Sequence, residues 1–316
     1  MNNCTKLFEY IKYYFFTLLS NVSPNDNIKS YFVIFYKSAY KNIKYSYKNI
    51  FKSFNNKKFK FSKGNYWDRC INHLNFIGKY YHIDEIHKSP LINLTVINFN
   101  YKNRVPTDLK NIFFNNERLN YHSKIISEKF SGVKFNNILQ WYGAYHYTLS
   151  KNILSKKQMD ITKNCNVLEI GPGLGLNSLI YSDINSKEIF FYDLEEMKEI
   201  QKKIENSFRK SCSINKIRYF DNIVRLKESI IAKDYYIVSC YAFSEFPEYL
   251  RNKFQKLIQN SKFSIFLSNE KFENVINHNY FYNLAKNINK NIKVKKFNYP
   301  SQDGFTKKHK YFIIGD

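Results

Sequence analysis

Three carboxylates, Glu169, Asp193 and Glu245, each follow an apolar run, and three glycines, Gly171, Gly173 and Gly175, alternate directly after the first of them. An apolar strand that runs into a glycine turn and then a helix leaves backbone N–H groups at its C-terminal end for a ligand. Glycine suits such a turn because a side chain would hold the ligand away from the backbone. The spacing differs from the dinucleotide fingerprint G-x-G-x-x-G, because the third glycine comes one residue early and Leu176 stands where that fingerprint needs glycine. Glu169, two residues before Gly171, would also repel a pyrophosphate and attract a cationic group. Asp193 lies 20 residues beyond Gly173, the separation at which an acid meets a ribose in nucleotide-binding βαβ units. These residues call for a nucleoside that carries a positive centre, such as the ammonium and sulfonium of S-adenosylmethionine. Glu245 has the chemistry of a general base for a hydroxyl acceptor.

The elements that must position these groups alternate in period. Val167 to Ile170 and Glu188 to Asp193 read as buried strands, and the helix between them carries Leu176, Leu179 and Ile180 on one face. The next helix carries Leu194, Met197, Gln201, Ile204 and Phe208 at spacings of three and four, with Glu199–Lys203 and Glu205–Arg209 pairs on its outer face. Lys216 to Phe220, Asp234 to Tyr241 and Lys262 to Ser268 give three further strands. Pro247 starts a helix with Leu250, Phe254, Leu257 and Ile258 inward, Ser244 serving as its N-cap. A helix near Phe272 to Asn289 and strands near Ile292 to Phe297 and Tyr311 to Gly315 complete a doubly wound α/β domain over 156–316.

On the motif Glu169-x-Gly171-x-Gly173-x-Gly175 and its partner Asp193, the chain resembles the class I S-adenosylmethionine-dependent methyltransferases. The resemblance implies a Rossmann-like seven-stranded sheet and S-adenosylmethionine as cofactor. Glu169, Gly171, Pro172, Gly173, Gly175, Asp193 and Leu194 would then line the cofactor, with Asp193 on the ribose hydroxyls. It also implies Asp221 near the adenine, although a plain turn residue explains Asp221 better.

A second resemblance concerns the acceptor. Ser239-Cys240-Tyr241-Ala242-Phe243-Ser244-Glu245-Phe246-Pro247 is similar to the N-x-x-S-x-S-E-M-P stretch of a bacterial sugar O-methyltransferase family, with Ser239 and Phe246 departing from it. Gln140-Trp141-Tyr142-Gly143-Ala144-Tyr145-His146-Tyr147 and Tyr192-Asp193-Leu194-Glu195-Glu196-Met197 fit the same family, over about 135–275. It implies Tyr142 and Ser239 at the cofactor and transfer to a hydroxyl of a sugar or a sugar-containing intermediate of surface polysaccharide. The acceptor would be a glycan or a nucleotide- or phosphate-linked sugar, and no nucleic acid is expected. Glu245 is the first candidate base, His146 and His278 its rivals. Helix capping for the glutamate and aromatic packing for the histidines are the competing roles.

The glycine motif also resembles that of ribosomal RNA adenine dimethyltransferases. Those enzymes carry N-[LI]-P-[YF] after the fourth strand, and Tyr236 to Pro247 contains no such tetrad. RNA methylation stays a minority alternative, beside a non-catalytic domain that binds a partner.

Net charge is less informative than its size suggests. The formal charge is +24, which suits nucleic acid, anionic lipid or an anionic small substrate alike. The first 65 residues hold 12 lysines against Glu9 and Asp26, yet the abundance of Lys, Asn, Ile, Phe and Tyr matches A- and T-rich codons and explains the lysines without a ligand. Lys57, Lys58, Lys60 and Lys63 could meet a phosphate, or form a solvated face. Five cysteines without a C-x-x-C pair point to a reducing cytoplasm rather than a disulfide framework.

Residues 1–155 read as a basic, mainly helical cap on the acceptor side, with helices over Trp67 to Tyr81 and Asp108 to Ser131, a strand at Leu91 to Asn98 and a turn at Pro106 to Asp108. Phe8, Ile11, Phe15, Leu18 and Leu19 share one helical face beside Lys6 and Lys12, the pattern of a helix lying on a membrane or packed on its own protein. The run His82-Ile83-Asp84-Glu85-Ile86-His87 has metal-ligating residue types, but a polar turn explains it better, and no metal is expected.

Overall fold

The computed structural model describes residues 74, 77, 78, 82, 83, 86, 117–130, 153–184, 186–272, 274–296 and 310–315. The chain divides into two units, Met1–His73 and Leu74–Asp316. All described residues belong to the second, and the expected boundary at 155/156 falls inside it. The helix α1 (Glu117–Lys129) packs within this unit: Phe130 meets the Phe208 ring edge-on, His122 Nδ1 lies 3.3 Å from Asp183, and the Tyr121 hydroxyl donates to Ser211 O.

Helix α2 (Lys156–Asn164) opens on a capping box, in which Ser155 and Gln158 satisfy each other's backbone N–H groups. Then follow β1 (Asn166–Ile170), α3 (Ser178–Asp183), β2 (Ile189–Tyr192), α4 (Glu195–Arg209), β3 (Ile217–Phe220), α5 (Ile223–Ile230) and β4 (Tyr235–Cys240). A 3-10 turn (Ala242–Glu245), α6 (Glu248–Lys253), α7 (Gln255–Asn260), β5 (Phe263–Ser268), a two-stranded hairpin β6 (Lys271–Phe272) and β7 (Val275–Ile276), α8 (Asn277–Asn287), β8 (Ile292–Lys296) and β9 (Lys310–Gly315) complete the unit.

The seven-stranded sheet has the order β3-β2-β1-β4-β5-β9-β8. Strands β1 to β5 run parallel, and β9 is antiparallel to both of its neighbours. Every residue of β1, β2, β4 and β5 is buried, which is why these segments read as continuous apolar runs rather than alternating ones. The pleat divides β1 between two layers. Leu168 and Ile170 join Tyr235, Ile237, Phe254, Leu257, Phe266 and Phe281 in one core cluster, against α5 to α8. Against the other layer, α4 buries Met197, Ile200, Gln201, Ile204 and Phe208; each large apolar side chain contributes roughly 1.5–3 kcal/mol.

The seven expected strands are all present, and two local details differ. The helix expected from Phe272 begins at Asn277, because the hairpin uses the residues before it. Pro247 is itself the N-cap of α6, not a first-turn residue behind a Ser244 cap. The Ser244 hydroxyl instead donates to Tyr241 O at 2.6 Å, which closes the 3-10 turn. Among the described residues no helix is long and apolar enough to cross a membrane. The N-terminal amphipathic stretch, the lysines of the first 65 residues and the strand at 91–98 lie outside the described residues.

Candidate functional site

The order of the sheet reverses between β1 and β4, and in open α/β sheets ligands bind beyond the carboxyl ends of strands at such a point. The glycine turn sits there. Gly171 N–H donates to Tyr192 O and Gly175 N–H to Pro172 O, both at 2.9 Å. Gly171 has φ +69°, and a Cβ on it would stand 2.0 Å from the Ala242 Cβ. Gly175 has φ +73°, and a Cβ there would stand 3.0 Å from the Phe191 ring. At both positions the protein's own neighbours also require glycine, independently of any ligand.

Glu169 takes up a position the sequence does not anticipate. Its side chain is wholly buried, with Oε1 accepting a 2.6 Å hydrogen bond from Asn177 Nδ2. Asn177 is the N-cap residue of α3, yet it makes no side-chain cap there. It spends its amide on Glu169, so the acid braces the turn from within the fold.

Asp193, just past β2, borders a cleft of about 490 Å³ together with Tyr192, Leu194, Asp221, Phe246 and Leu250. The volume lies in the roughly 300–1,000 Å³ range of small-molecule sites. The apolar wall is aromatic: Tyr192 stacks edge-on against Phe246 and Phe254 at centroid distances of 6.4 and 4.9 Å. Asp193 Oδ1 accepts from Leu194 N–H and Oδ2 from Gln201 Nε2, each at 2.8 Å. Burial pushes its carboxyl up to about 7, against the opposing pull of these donors. Asp221, across the cleft, pairs with Lys198 at 2.8 Å, and that ammonium holds its carboxyl below the usual range. The fold therefore brings Asp193, Leu194 and Asp221 together at one cleft.

Ser239 requires a correction. It is buried, its hydroxyl donates to Ile170 O at 2.8 Å and accepts from Phe243 N–H at 3.0 Å, so its hydrogen-bonding groups serve the join between β1 and the turn after β4 rather than a cofactor. Glu245 ends that turn, half-buried, with its N–H donating to Tyr241 O at 3.1 Å. Its neighbours' carbonyls, Ser244 O and Phe246 O, both accept from the buried guanidinium of Arg251, which lies over the Tyr280 ring at 4.9 Å and donates to Asn277. His278 is on α8, its ring against Tyr282 at 4.7 Å and Phe312 at 6.0 Å. Phe312 belongs to β9, which β5 separates from β4, so His278 stands as a packing residue on the far side of β5. His146 and Tyr142 lie outside the described residues, as do Trp141 and Tyr145.

Three residues of this region escape sequence reasoning. Tyr241 has φ +67° directly after β4, a left-handed conformation that costs a bulky residue of order 1–3 kcal/mol and that clusters at functional sites. Burial and the nearby Cys240 and Glu245 raise its hydroxyl far above the ordinary tyrosine range. Arg251 reads as an ordinary surface residue of a short helix. Gln201 reads as part of an apolar stripe that follows the Tyr192–Met197 stretch of the family resemblance, and neither its polarity nor that place assigns it a partner.

No family model matches the chain, and no curated protein matches it. Similar solved structures include the methyltransferase domain of bacterial CtHen1, at 12% identity over 54% of this chain and 99% of that one with a TM-score of 0.43. Magnesium protoporphyrin IX methyltransferase from Synechocystis PCC 6803 with bound SAM is 9% identical over 68% of this chain and 100% of that one, with a TM-score of 0.42. The small RNA methyltransferase HEN1 is 15% identical over 52% and 26%, with a TM-score of 0.37. Each likeness is too distant to bear on cofactor or acceptor.

Proposed function

We propose that this chain is an S-adenosylmethionine-dependent methyltransferase that acts on a hydroxyl of a sugar or sugar-containing intermediate. The observation that carries the cofactor part is Asp193. An acid with no cation against it among the described residues lines a cleft beside a glycine turn, at the carboxyl end of the strand next to the sheet's reversal point. Such an acid fits a ribose hydroxyl, because its protein donors are the Leu194 and Gly173 backbones and the Gln201 amide, fewer than the four bonds a carboxylate can accept. Tyr192, Phe246 and Leu250 supply the apolar wall a purine needs.

When bound, S-adenosylmethionine supplies a methyl group on a sulfonium, a donor whose leaving group is already good. The protein's task is then to align the acceptor and to take its proton. Glu245, on the turn that crosses Gly171 through Ala242, is the residue assigned to that proton. The sugar hydroxyl as acceptor rests on the Ser244-Glu245 motif and on the missing base-gripping tetrad.

Calorimetry with S-adenosylmethionine tests the cofactor: binding in the wild type that is lost in Asp193→Ala is expected, and no binding refutes the reading. With radiolabelled donor, methyl incorporation into a nucleotide-sugar and glycan pool supports the acceptor assignment. Incorporation into ribosomal RNA instead would replace it.

A further inference from the structure

Helix α4 turns one buried stripe to the sheet, made of Met197, Ile200, Gln201, Ile204 and Phe208. Gln201 is the only polar member and is 2% exposed. An amide in such a stripe costs about 1–3 kcal/mol unless its hydrogen-bonding groups are satisfied, and a methionine would fill the same space without that cost. The amide's partners explain its presence. Nε2 has two hydrogens; it donates to Gly173 O at 2.9 Å and to Asp193 Oδ2 at 2.8 Å. The stem passes beneath the turn, with Cγ 3.7 Å from where a Gly175 Cβ would be.

One side chain thus ties together the two segments that would grip the cofactor, which lie on different strands and are about 20 residues apart in sequence. Leu194 N–H orients one oxygen of Asp193 and Gln201 the other, with the Gly173 backbone as a further donor that Gln201 holds through Gly173 O. With these in place the carboxylate plane cannot turn, and its remaining acceptor capacity stays aimed in a fixed direction.

We propose that Gln201 is a positioning residue of the cofactor site: it holds Asp193 and the glycine turn as one unit, and the affinity for the adenosyl cofactor depends on its amide. This rests on the cofactor reading above. It touches no reacting group, so its effect must pass through Asp193. The charges near that carboxyl are Glu196 on α4, Glu195 and Arg225 at the cleft, and Asp221 with its partner Lys198. The Gln201 hydrogen bond favours the ionised carboxylate; its removal extends protonation of Asp193 to higher pH.

The test is calorimetry of the full chain with S-adenosylhomocysteine at pH 7 and pH 9, on the wild type, Gln201→Met and Gln201→Glu. Gln201→Met keeps size and removes the donor; weaker binding is expected at both pH values because positioning is lost, about tenfold at pH 7 and less at pH 9, where Asp193 ionises without help. Gln201→Glu sets a second carboxylate against Asp193 and is expected to bind more weakly than Gln201→Met at both pH values. A merely structural role would weaken binding equally at pH 7 and pH 9, and that result overturns the proposal, as does unchanged affinity in Gln201→Met. If Gln201→Met does not fold, a Gln201→Glu protein that binds as the wild type does overturns it alone. Absence of wild-type binding would refute the cofactor reading itself, a distinct outcome.

Discussion

The two ends of β2 carry the same functional group in opposite states. Glu188 precedes the strand and is surrounded by Lys233, by Arg218 at 3.1 Å and by Lys216 at 3.4 Å; the Lys233 contact first, and Arg218 after it, hold its carboxyl at about 2. Asp193 follows the strand, meets only amide donors among the described residues, and is pushed up to about 7 by burial. Four residues separate them. On β4 as well, Asp234, before the strand, pairs with a cation, Lys262 at 2.7 Å; Glu245 lies beyond the other end on a strained turn. The acids before β2 and β4 meet cations and hold the fold, while Asp193, buried after β2 with no cation against it among the described residues, is costly and marks a site.

The sharpest way to break this contrast is to remove each acid in turn. Asp193→Ala is expected to weaken S-adenosylmethionine binding at least a hundredfold by calorimetry, and Glu188→Ala to leave it within about twofold. Equal losses would erase the distinction. On β4, Glu245→Gln should retain cofactor affinity while turnover with the identified acceptor falls about a hundredfold or more; a fully active variant removes Glu245 as the base.

Stability against pH sharpens it further, because the two shifts have opposite signs. Asp193 titrates at 3.8 when unfolded and about 7 when folded, so its contribution is fully present below 3.8 and is lost as pH rises through about 7. Glu188, lowered from 4.5 to about 2, contributes above 4.5 and loses this as pH falls through 2. Melting temperatures between pH 4 and pH 8 should therefore show Asp193→Ala gaining on the wild type as pH rises, and Glu188→Gln losing ground over the acid part of that range. Smallest is the effect of Glu188→Gln at pH 7, where three cations lose their common partner. A fall of about 1 kcal/mol is expected for a partly exposed network, or roughly 2–4 °C in melting temperature.

Much of this contrast is legible without coordinates. The buried parallel strands announce themselves because residues covered on both faces must be apolar throughout, and Asp193 stands out because its distance from Gly173 is set by one βαβ crossover. Gln201, by contrast, looks like a helix residue on an apolar face, since nothing local says that Gly173 O and Asp193 Oδ2 converge above it. Ser239 looks like a site residue because it ends a strand, yet its hydroxyl is consumed between Ile170 O and Phe243 N–H. Ser244 has the type of an N-cap, but the 3-10 turn takes its hydroxyl first.

The amino-acid sequence by itself determined the order of strands and helices, the glycine turn and the two carboxylates that flank β2, because periodicity and short-range spacing are properties of neighbouring residues. Only the tertiary structure decided which of those carboxylates meets no cation among the described residues and which is surrounded by them. Lys233, Arg218 and Lys216 reach Glu188 from β3 and from the loop before β4, and Gln201 reaches Asp193 from across a helix. Electrostatic environment is set by distance in space, and residues tens of positions apart acquire that distance only when the sheet is assembled.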